Sequence, residues 1–376
     1  MAVAAPAAPA SNGWSETTMN AAGANRARIG VLGCGRVSAR YREVFRDELT
    51  DIADVVAVTD FDAGKSAAFA KDVGGSPVVQ DIDALIATKP DLICILTESG
   101  NHYKHAKKVL EAGINVIVEK PVALRLEHAA ELSEIARTRG LICAEIKQNR
   151  YNPAMRFLRR AVDEGRFGKL VTVGIRVHWS RDQSYYDDPW HGRWLMDGGV
   201  LSQQAIHHID AMRWLGGPIE AVCAQGRAVI NKLEAEDTAT AIVRFENGAM
   251  GTIEATTAAR PRDFEASLHI VGDKALAKVG GRAINLVETW ESVEPQPGDE
   301  DVIETCSQEV PTSYGLGHGP YIREVIDCWR AGKTDVPVSV DEGSKALAFL
   351  HALYRSMEVG GWVELKDGPK SERLGL

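Results

Sequence analysis

The hydrophobic positions of this chain fall into two regimes. From residue 28 to 146, short unbroken apolar runs alternate with amphipathic stretches. Residues 28–32, 54–59, 91–96, 115–118 and 141–146 are runs rich in Val, Ile, Leu and Ala. Such runs are too continuous for a sheet with one wet face and fit strands buried on both faces, as in parallel sheets. Between them, residues 37–49, 63–73, 83–87, 102–112 and 126–139 read as helices. Gly113 and Gly140 stand where a helix closes in a left-handed cap. The alternation predicts a doubly wound α/β domain, of the Rossmann type, over residues 26–148. Ligands of such sheets bind outside the carboxyl ends of the strands.

The pattern changes after about Asn149. One helix, 153–164, is followed by strand-like runs at 170–181, 219–230, 237–245, 249–256, 267–271 and 275–279. Turn signals separate several of them, such as Glu246-Asn247-Gly248 and Gly272-Asp273-Lys274. Helices are expected at 202–215, 320–331 and 341–357. The acidic stretch 296–307 reads as a surface loop. Runs of strands predict an antiparallel sheet and an α+β domain over 149–376. Residues 1–25, rich in Ala, Pro, Ser and Asn, lack the basic start and apolar core of a signal peptide and read as a disordered tail.

Composition narrows the function classes. A chain of 376 residues, 45% hydrophobic and 25% charged, suits two soluble domains with a large core. A formal net charge of -9 argues against a nucleic-acid partner. No run approaches the ~18 apolar residues of a membrane span. The six cysteines form no C-x-x-C pair, so a reducing cytoplasm is the simplest expected compartment.

Candidate chemistry gathers at the strand ends. Gly33, Gly35 and Ser38 have the spacing of a G-x-G-x-x-G turn, placed between a strand and a helix and including Arg36 and Val37. The first glycine permits the tight turn, and the second lets the backbone approach a pyrophosphate. Asp60 closes the second strand, where a carboxylate can bind adenosine ribose hydroxyls and repel a 2′-phosphate, which predicts NAD over NADP. Asp62 competes for that role, and either carboxylate could simply solvate the turn. Lys120, in Glu119-Lys120-Pro121, follows the fourth strand. Its ammonium could hydrogen-bond a substrate hydroxyl and favour the alkoxide as hydride leaves; otherwise it is a surface lysine. Glu119 either meets a cofactor ribose or balances charge. His207 and His208 are neighbours on a predicted helix and cannot share a face, so at most one is catalytic. An imidazole suits removal of the hydroxyl proton near neutral pH. No H-x-x-x-H or cysteine partner supports zinc, and no metal is expected. The segment 179–194 sets Arg181 and Arg193 among Trp179, Tyr185, Tyr186, Trp190 and Trp194. It fits a site for a sugar or a nucleotide phosphate, or a packed loop with exposed polar tips.

Taken in order, RIGVLGCGRVS, the segment from Thr97 to His102 with Ser99, VIVEKPV, NRYNPA and GGVLSQQAIHHID resemble the Gfo/Idh/MocA oxidoreductases. Four further features resemble the branch that oxidises UDP-N-acetylglucosaminuronate at C3 of the sugar. They are KQNRxNP at Lys147 to Pro153, Tyr185 to Gly199, E-x-E-D-T at Glu234 to Thr238, and G-H-x-x-Y at Gly317 to Tyr321. The resemblance implies NAD held by the glycine turn, Asp60, Thr97, Ser99, His102, Glu119 and Lys120. It implies Lys120 and His207 at the nicotinamide, with Arg150, Asn152, Arg181, Tyr185, Arg193 and Gln203 around the substrate. It implies an open sheet that mediates a homo-oligomer, dimer or tetramer, and NADH recycled by 2-oxoglutarate. The product would be a 3-keto sugar for 3-amino sugar and surface polysaccharide synthesis. UDP-N-acetylglucosamine, or a free polyol such as an inositol, is the alternative substrate. A non-catalytic NAD-binding regulator would be expected to lack Lys120 or the histidine. The chain departs from the family at Gln203, where many members carry aspartate. It departs from the branch at His191, in Trp-His-Gly-Arg-Trp where Trp-Arg-Gly-Thr-Trp is common. Glu98 stands where proline is usual.

Overall fold

A computed structural model describes residues 26–376; the expected tail, 1–25, lies outside the described residues. The first sheet is fully parallel and runs in the order β2 (Ala53–Thr59), β1 (Ala27–Leu32), β3 (Leu92–Ile95), β4 (Asn115–Val118), β5 (Cys143–Glu145). Helices α1 (Ser38–Glu43, continued by a π-helical turn over Val44–Glu48), α2 (Ala63–Asp72), α3 (Ile82–Ala87), α4 (His102–Glu111) and α5 (Leu126–Arg139) make the crossovers. Ile93, Cys94, Val116 and Ile117 are fully buried, as the unbroken apolar runs required. The order reverses between β1 and β3, so the crevice opens where Gly33 and Thr97 follow their strands.

The helix ends follow from local chemistry. Asp62 caps α2, its carboxylate accepting from the backbone N–H groups of Gly64 and Lys65. Gly140 closes α5 at φ 63°.

The second sheet has eight strands, in the order β12-β11-β10-β6-β9-β8-β7-β13. They are β6 (Leu170–His178), β7 (Ile219–Arg227), β8 (Thr238–Phe245), β9 (Met250–Thr256), β10 (Glu265–Gly272), β11 (Ala275–Gly280), β12 (Leu286–Ser292) and β13 (Val363–Glu364). All pairs are antiparallel except β6 with β9. Its inner face carries Val173, Ile175, Val243, Ile253 and Ile270, packed with residues of α6 (Pro153–Asp163), α9 (Ile206–Gly216) and α12 (Val340–Val359). The short helices α7 (Gln183–Tyr186) and α8 (Val200–Gln203) precede α9. Helix α11 (His318–Arg330) returns to the first sheet: Tyr321, Ile322, Val325 and Ile326 pack with Ile29, Val31 and Ile117.

Two expectations are corrected here. The helix read over 202–215 is two helices, α8 and α9, broken at Gln204 and Ala205. The loop read over 296–307 holds a 3₁₀ turn, Asp299–Asp301, and a short helix, α10 (Val302–Cys306), whose Val302 is buried in the core. Among the described residues no helix is long and apolar enough to cross a membrane.

Candidate active site

A cleft of about 880 Å³ lies at the carboxyl ends of β1 to β4 and is closed on its far side by the second half of the chain. Its cofactor end is built from the glycine turn. Gly33 has φ +98°, and a Cβ there would lie 2.8 Å from the backbone C and O of Leu96, so β1 and β3 meet too closely for any other residue. A Cβ on Gly35 would meet nothing within 4 Å: this is open space beside backbone, the room a pyrophosphate needs. Asp60 accepts from Cys34 N at 2.5 Å and Asp62 N at 2.7 Å, and lines the cleft. Asp62 caps α2 through one carboxylate oxygen and is not among the residues that line the cleft. Arg36, Val37, Thr97 and Ser99 also line the cleft. His102 turns both ring nitrogens to backbone, Nδ1 to Pro121 O at 2.7 Å and Nε2 to Thr97 O at 2.8 Å, joining the loops after β3 and β4.

Lys120 follows β4. Its Nζ donates to Gln203 O at 2.8 Å and to Gln203 Oε1 at 2.6 Å. An ammonium has three N–H groups, so one remains for a ligand. Burial lowers the Lys120 pKa, opposed by the nearby Glu119 and Asp197 carboxyls. His207 also lines the cleft, with Gln148 Nε2 3.3 Å from its Nε2. Burial holds the His207 pKa well below the usual histidine range, and the charges of Lys120 and Lys147 push it further down. The imidazole is therefore neutral and able to accept a proton. His208 is fully buried elsewhere, edge-on to Trp179 at 6.1 Å.

On the far wall Tyr185 has two guanidiniums near its ring, Arg36 at 4.6 Å and Arg181 at 5.8 Å from the centroid. Trp179 and Trp190 line the same wall. His191 donates from Nδ1 to Asp188, whose other oxygen accepts from the backbone N–H groups of Trp190 and His191.

Three expected substrate residues are placed elsewhere. Arg150 is buried and forks onto Asp210, Nε to Oδ2 at 2.7 Å and Nη2 to Oδ1 at 2.6 Å. Asn152 is buried and donates to Ala283 O at 2.6 Å. Arg193 is half exposed and lies 3.7 Å from Glu234. None of the three lines the cleft. Gln148, Tyr314 and His318 do line it and were not singled out from sequence. Gln148 and His318 lie inside quoted motifs, KQNRxNP and G-H-x-x-Y, which was the available signal. His318 reaches back to the first domain: its Nε2 is 3.5 Å from Glu119 Oε1, which also accepts from Tyr41 Oη at 2.8 Å. Burial raises the Glu119 carboxyl, but His318 and Lys120 outweigh it and hold the pKa below its ordinary value.

The buried ionisable groups predict an optimum of stability near pH 6.5. Burial lowers His191, His208 and His351 to about 4, and His207 lies well below its usual value. A lowered histidine gives stability that is complete above the unfolded pKa, ~6.5, and lost as pH falls below it. Burial raises Asp197 to about 8 and Glu236 to about 7. A raised carboxyl acts oppositely: its contribution is complete below the unfolded pKa, ~4, and lost as pH rises through the folded value. Each group carries a slope of about 1.4 kcal/mol per pH unit, so the four histidines outweigh the two carboxyls between about pH 4 and 6.5. Urea midpoints should be highest near pH 6.5, lower at pH 8 and much lower at pH 5. A midpoint at pH 5 equal to that at pH 6.5 would contradict this.

A glycine turn at a topological switch point, a lysine at the next strand end and a neutral histidine in one cleft define a nicotinamide-dependent oxidoreductase. Comparison with known proteins gives the family. A model of the oxidoreductase family's NAD-binding Rossmann fold matches residues 27–146, and one of the Gfo/Idh/MocA C-terminal domain matches 155–278. The WlbA dehydrogenase of Bordetella pertussis, solved in complex with NADH and UDP-GlcNAcA, is 34% identical with a TM-score of 0.85, covering 91% of this chain and 98% of that one. Scyllo-inositol 2-dehydrogenase (NAD(+)) of Bacillus subtilis is 25% identical, covering 84% of this chain and 90% of its own length. D-glucoside 3-dehydrogenase of Escherichia coli is 28% identical, covering 66% of this chain and 75% of its own length. The chain belongs to the Gfo/Idh/MocA oxidoreductase family and is an NAD-dependent dehydrogenase of sugars or polyols.

Proposed function

We propose that the enzyme oxidises the C3 hydroxyl of a UDP-N-acetylhexosamine-type sugar, specifically UDP-N-acetylglucosaminuronate, to a 3-keto sugar. The observation that carries this is the 34% identity, over almost the whole chain, to a WlbA dehydrogenase crystallised with UDP-GlcNAcA. The wall of Trp179, Tyr185 and Trp190 with Arg36 and Arg181 supports it, since stacked rings suit a sugar or base and guanidiniums suit phosphate or carboxylate. When bound, NAD accepts the hydride. The remaining Lys120 N–H would hydrogen-bond the reacting oxygen and stabilise its developing negative charge. The neutral His207 would take the hydroxyl proton. Gln203, with both oxygens on Lys120 Nζ, would aim the ammonium.

The same reading extends to turnover and assembly. NADH would be recycled by 2-oxoglutarate. A homo-oligomer is supported by the outer face of the large sheet, where Ile242, Met250 and Leu276 are exposed on β8, β9 and β11.

The test is incubation of the purified enzyme with UDP-N-acetylglucosaminuronate, UDP-N-acetylglucosamine, D-glucosides and inositols, each with and without 2-oxoglutarate. A 3-keto product from the uronate, with 2-hydroxyglutarate accumulating, is expected. Turnover of UDP-N-acetylglucosamine alone, whose sugar lacks the carboxylate, would move the substrate to that compound, and His191 is the residue to suspect. Turnover of free glucosides or polyols alone would overturn the nucleotide-sugar reading in favour of the activities of the more distant relatives.

A further inference from the structure

The turn that carries Gln148 is fastened to the helix that carries His207 by groups outside the cleft. Arg150 Nε and Nη2 donate to the two Asp210 oxygens, and Nη2 also reaches Glu342 Oε1 at 3.1 Å. Arg150 is 7% exposed and Asp210 1%. Burial alone would raise the Asp210 carboxyl, but Arg150 outweighs it and the pKa lies below the ordinary value. A planar guanidinium on a carboxylate fixes both distance and angle between the bodies that carry them. Here the bodies are the 3₁₀ turn Gln148–Tyr151 and helix α9. His207 stands one helical turn before Asp210, and Gln148 stands two residues before Arg150 in the turn. Their side chains meet in the cleft, Gln148 Nε2 at 3.3 Å from His207 Nε2.

That contact has chemical content. An amide nitrogen only donates, so the imidazole Nε2 accepts and the ring proton resides on Nδ1. Nδ1 is buried and has no partner of its own, so the Gln148 contact selects the tautomer. The lone pair is held on Nε2, where the amide occupies it until a substrate hydroxyl displaces the amide and donates in its place.

The geometry points to Arg150 as a positioning residue of the dehydrogenase: its fork on Asp210 holds Gln148 against His207 and so presets the tautomer whose Nε2 lone pair a substrate hydroxyl takes over when it displaces the amide. This rests on His207 as the proton acceptor, which the His207 variant described below tests separately.

The experiment uses the full-length enzyme, saturating NAD and the sugar identified by the substrate screen. Arg150→Lys keeps a charge but loses the fork. It should lower kcat by about 10-fold to 100-fold with KM and NAD affinity within about threefold, as expected for a misplaced catalytic group. Gln148→Leu should do the same. The double variant should be no slower than the slower single one, because both act through one contact. Nitrogen NMR of histidine-labelled protein gives a readout independent of turnover. The His207 Nε2 signal should be that of an unprotonated ring nitrogen, and both variants should shift it toward a tautomer mixture. Arg156→Lys, at an exposed neighbour, should not. Full kcat in folded Arg150→Lys, losses that multiply in the double variant, or an unmoved His207 signal would each overturn the proposal. If Arg150→Lys fails to fold, an unmoved signal in Gln148→Leu overturns it alone.

Discussion

Replacing Lys120 by methionine is expected to lower kcat by about two orders of magnitude or more while leaving NAD affinity nearly unchanged. Methionine keeps an unbranched, flexible side chain one atom shorter and removes every donor. Two of the three N–H groups of Lys120 go to Gln203, so the lost catalytic contact is the third, the one left for a ligand. A hydrogen bond to an oxygen that gains negative charge as hydride leaves is stronger in the transition state than in the ground state. Its removal therefore acts on kcat more than on KM. The glycine turn and Asp60 are untouched, so the cofactor site keeps its main contacts. The variant also leaves two Gln203 oxygens without a donor, at about 1–3 kcal/mol each if water does not replace it, so its stability should be measured beside its rate. A second signature is pH. Burial lowers the Lys120 pKa, so an alkaline limb in the wild-type kcat profile should fall below the ordinary lysine value and be absent from the variant. Stopped-flow detection of NADH and titration of NAD into cofactor-free protein separate the two steps. A folded Lys120→Met enzyme with wild-type turnover would remove Lys120 from the reaction.

The sequence made the frame of this site legible because the frame is periodic. Strand β4 and helix α5 end where the apolar runs and Gly140 say they should, so Lys120 could be placed at a strand end without a structure. Elements without a clean period were less legible. Apolar spacing continues through Gln204 and Ala205, so nothing marked the break between α8 and α9. The backbone shows it as an Ala205 N–H that reaches Val200 O. Strand β12 has few apolar positions to alternate, and it is an edge strand, so it was missed. Side-chain direction was the hardest to read. KQNRxNP brings Gln148 and Arg150 to the same turn, but one lines the cleft and the other turns to Asp210. No spacing rule for a short 3₁₀ turn distinguishes them, and an arginine near a catalytic motif is an easy choice for an anion. Arg193 shows the converse: its surroundings are aromatic in sequence, while in space it lies off the cleft with Glu234 3.7 Å away. His318 sits far from the lysine in sequence and reaches Glu119 only because α11 crosses back to the first sheet.

The histidine pair gives the second large effect. His207→Asn is expected to lower kcat by about 10²-fold to 10⁴-fold, and His208→Leu to retain a good part of it. Adjacent helical residues point about 100° apart, so only one can face the cleft. That one is His207. His208 has both ring nitrogens buried without a hydrogen-bond partner, and burial alone lowers its pKa to about 4. An imidazole so placed is a neutral space-filler against Trp179, and leucine can occupy its site without leaving a polar atom unpaired. The two substitutions should also part company in their pH profiles. The His207 pKa lies well below the usual histidine value, chiefly through burial and then through the charges of Lys120 and Lys147. A base with a lowered pKa stays unprotonated as pH falls, so the acid limb of wild-type kcat/KM should lie below pH ~6.5. His208→Leu should leave that limb where it is, while His207→Asn should abolish it in whatever activity remains. Asparagine keeps an acceptor oxygen of similar reach, so binding of the sugar should survive better than turnover. If His208→Leu were inactive while His207→Asn worked with an unchanged acid limb, the proton acceptor would be His208, and α9 would have to be rotated in the working enzyme by about the 100° that separates neighbouring side chains.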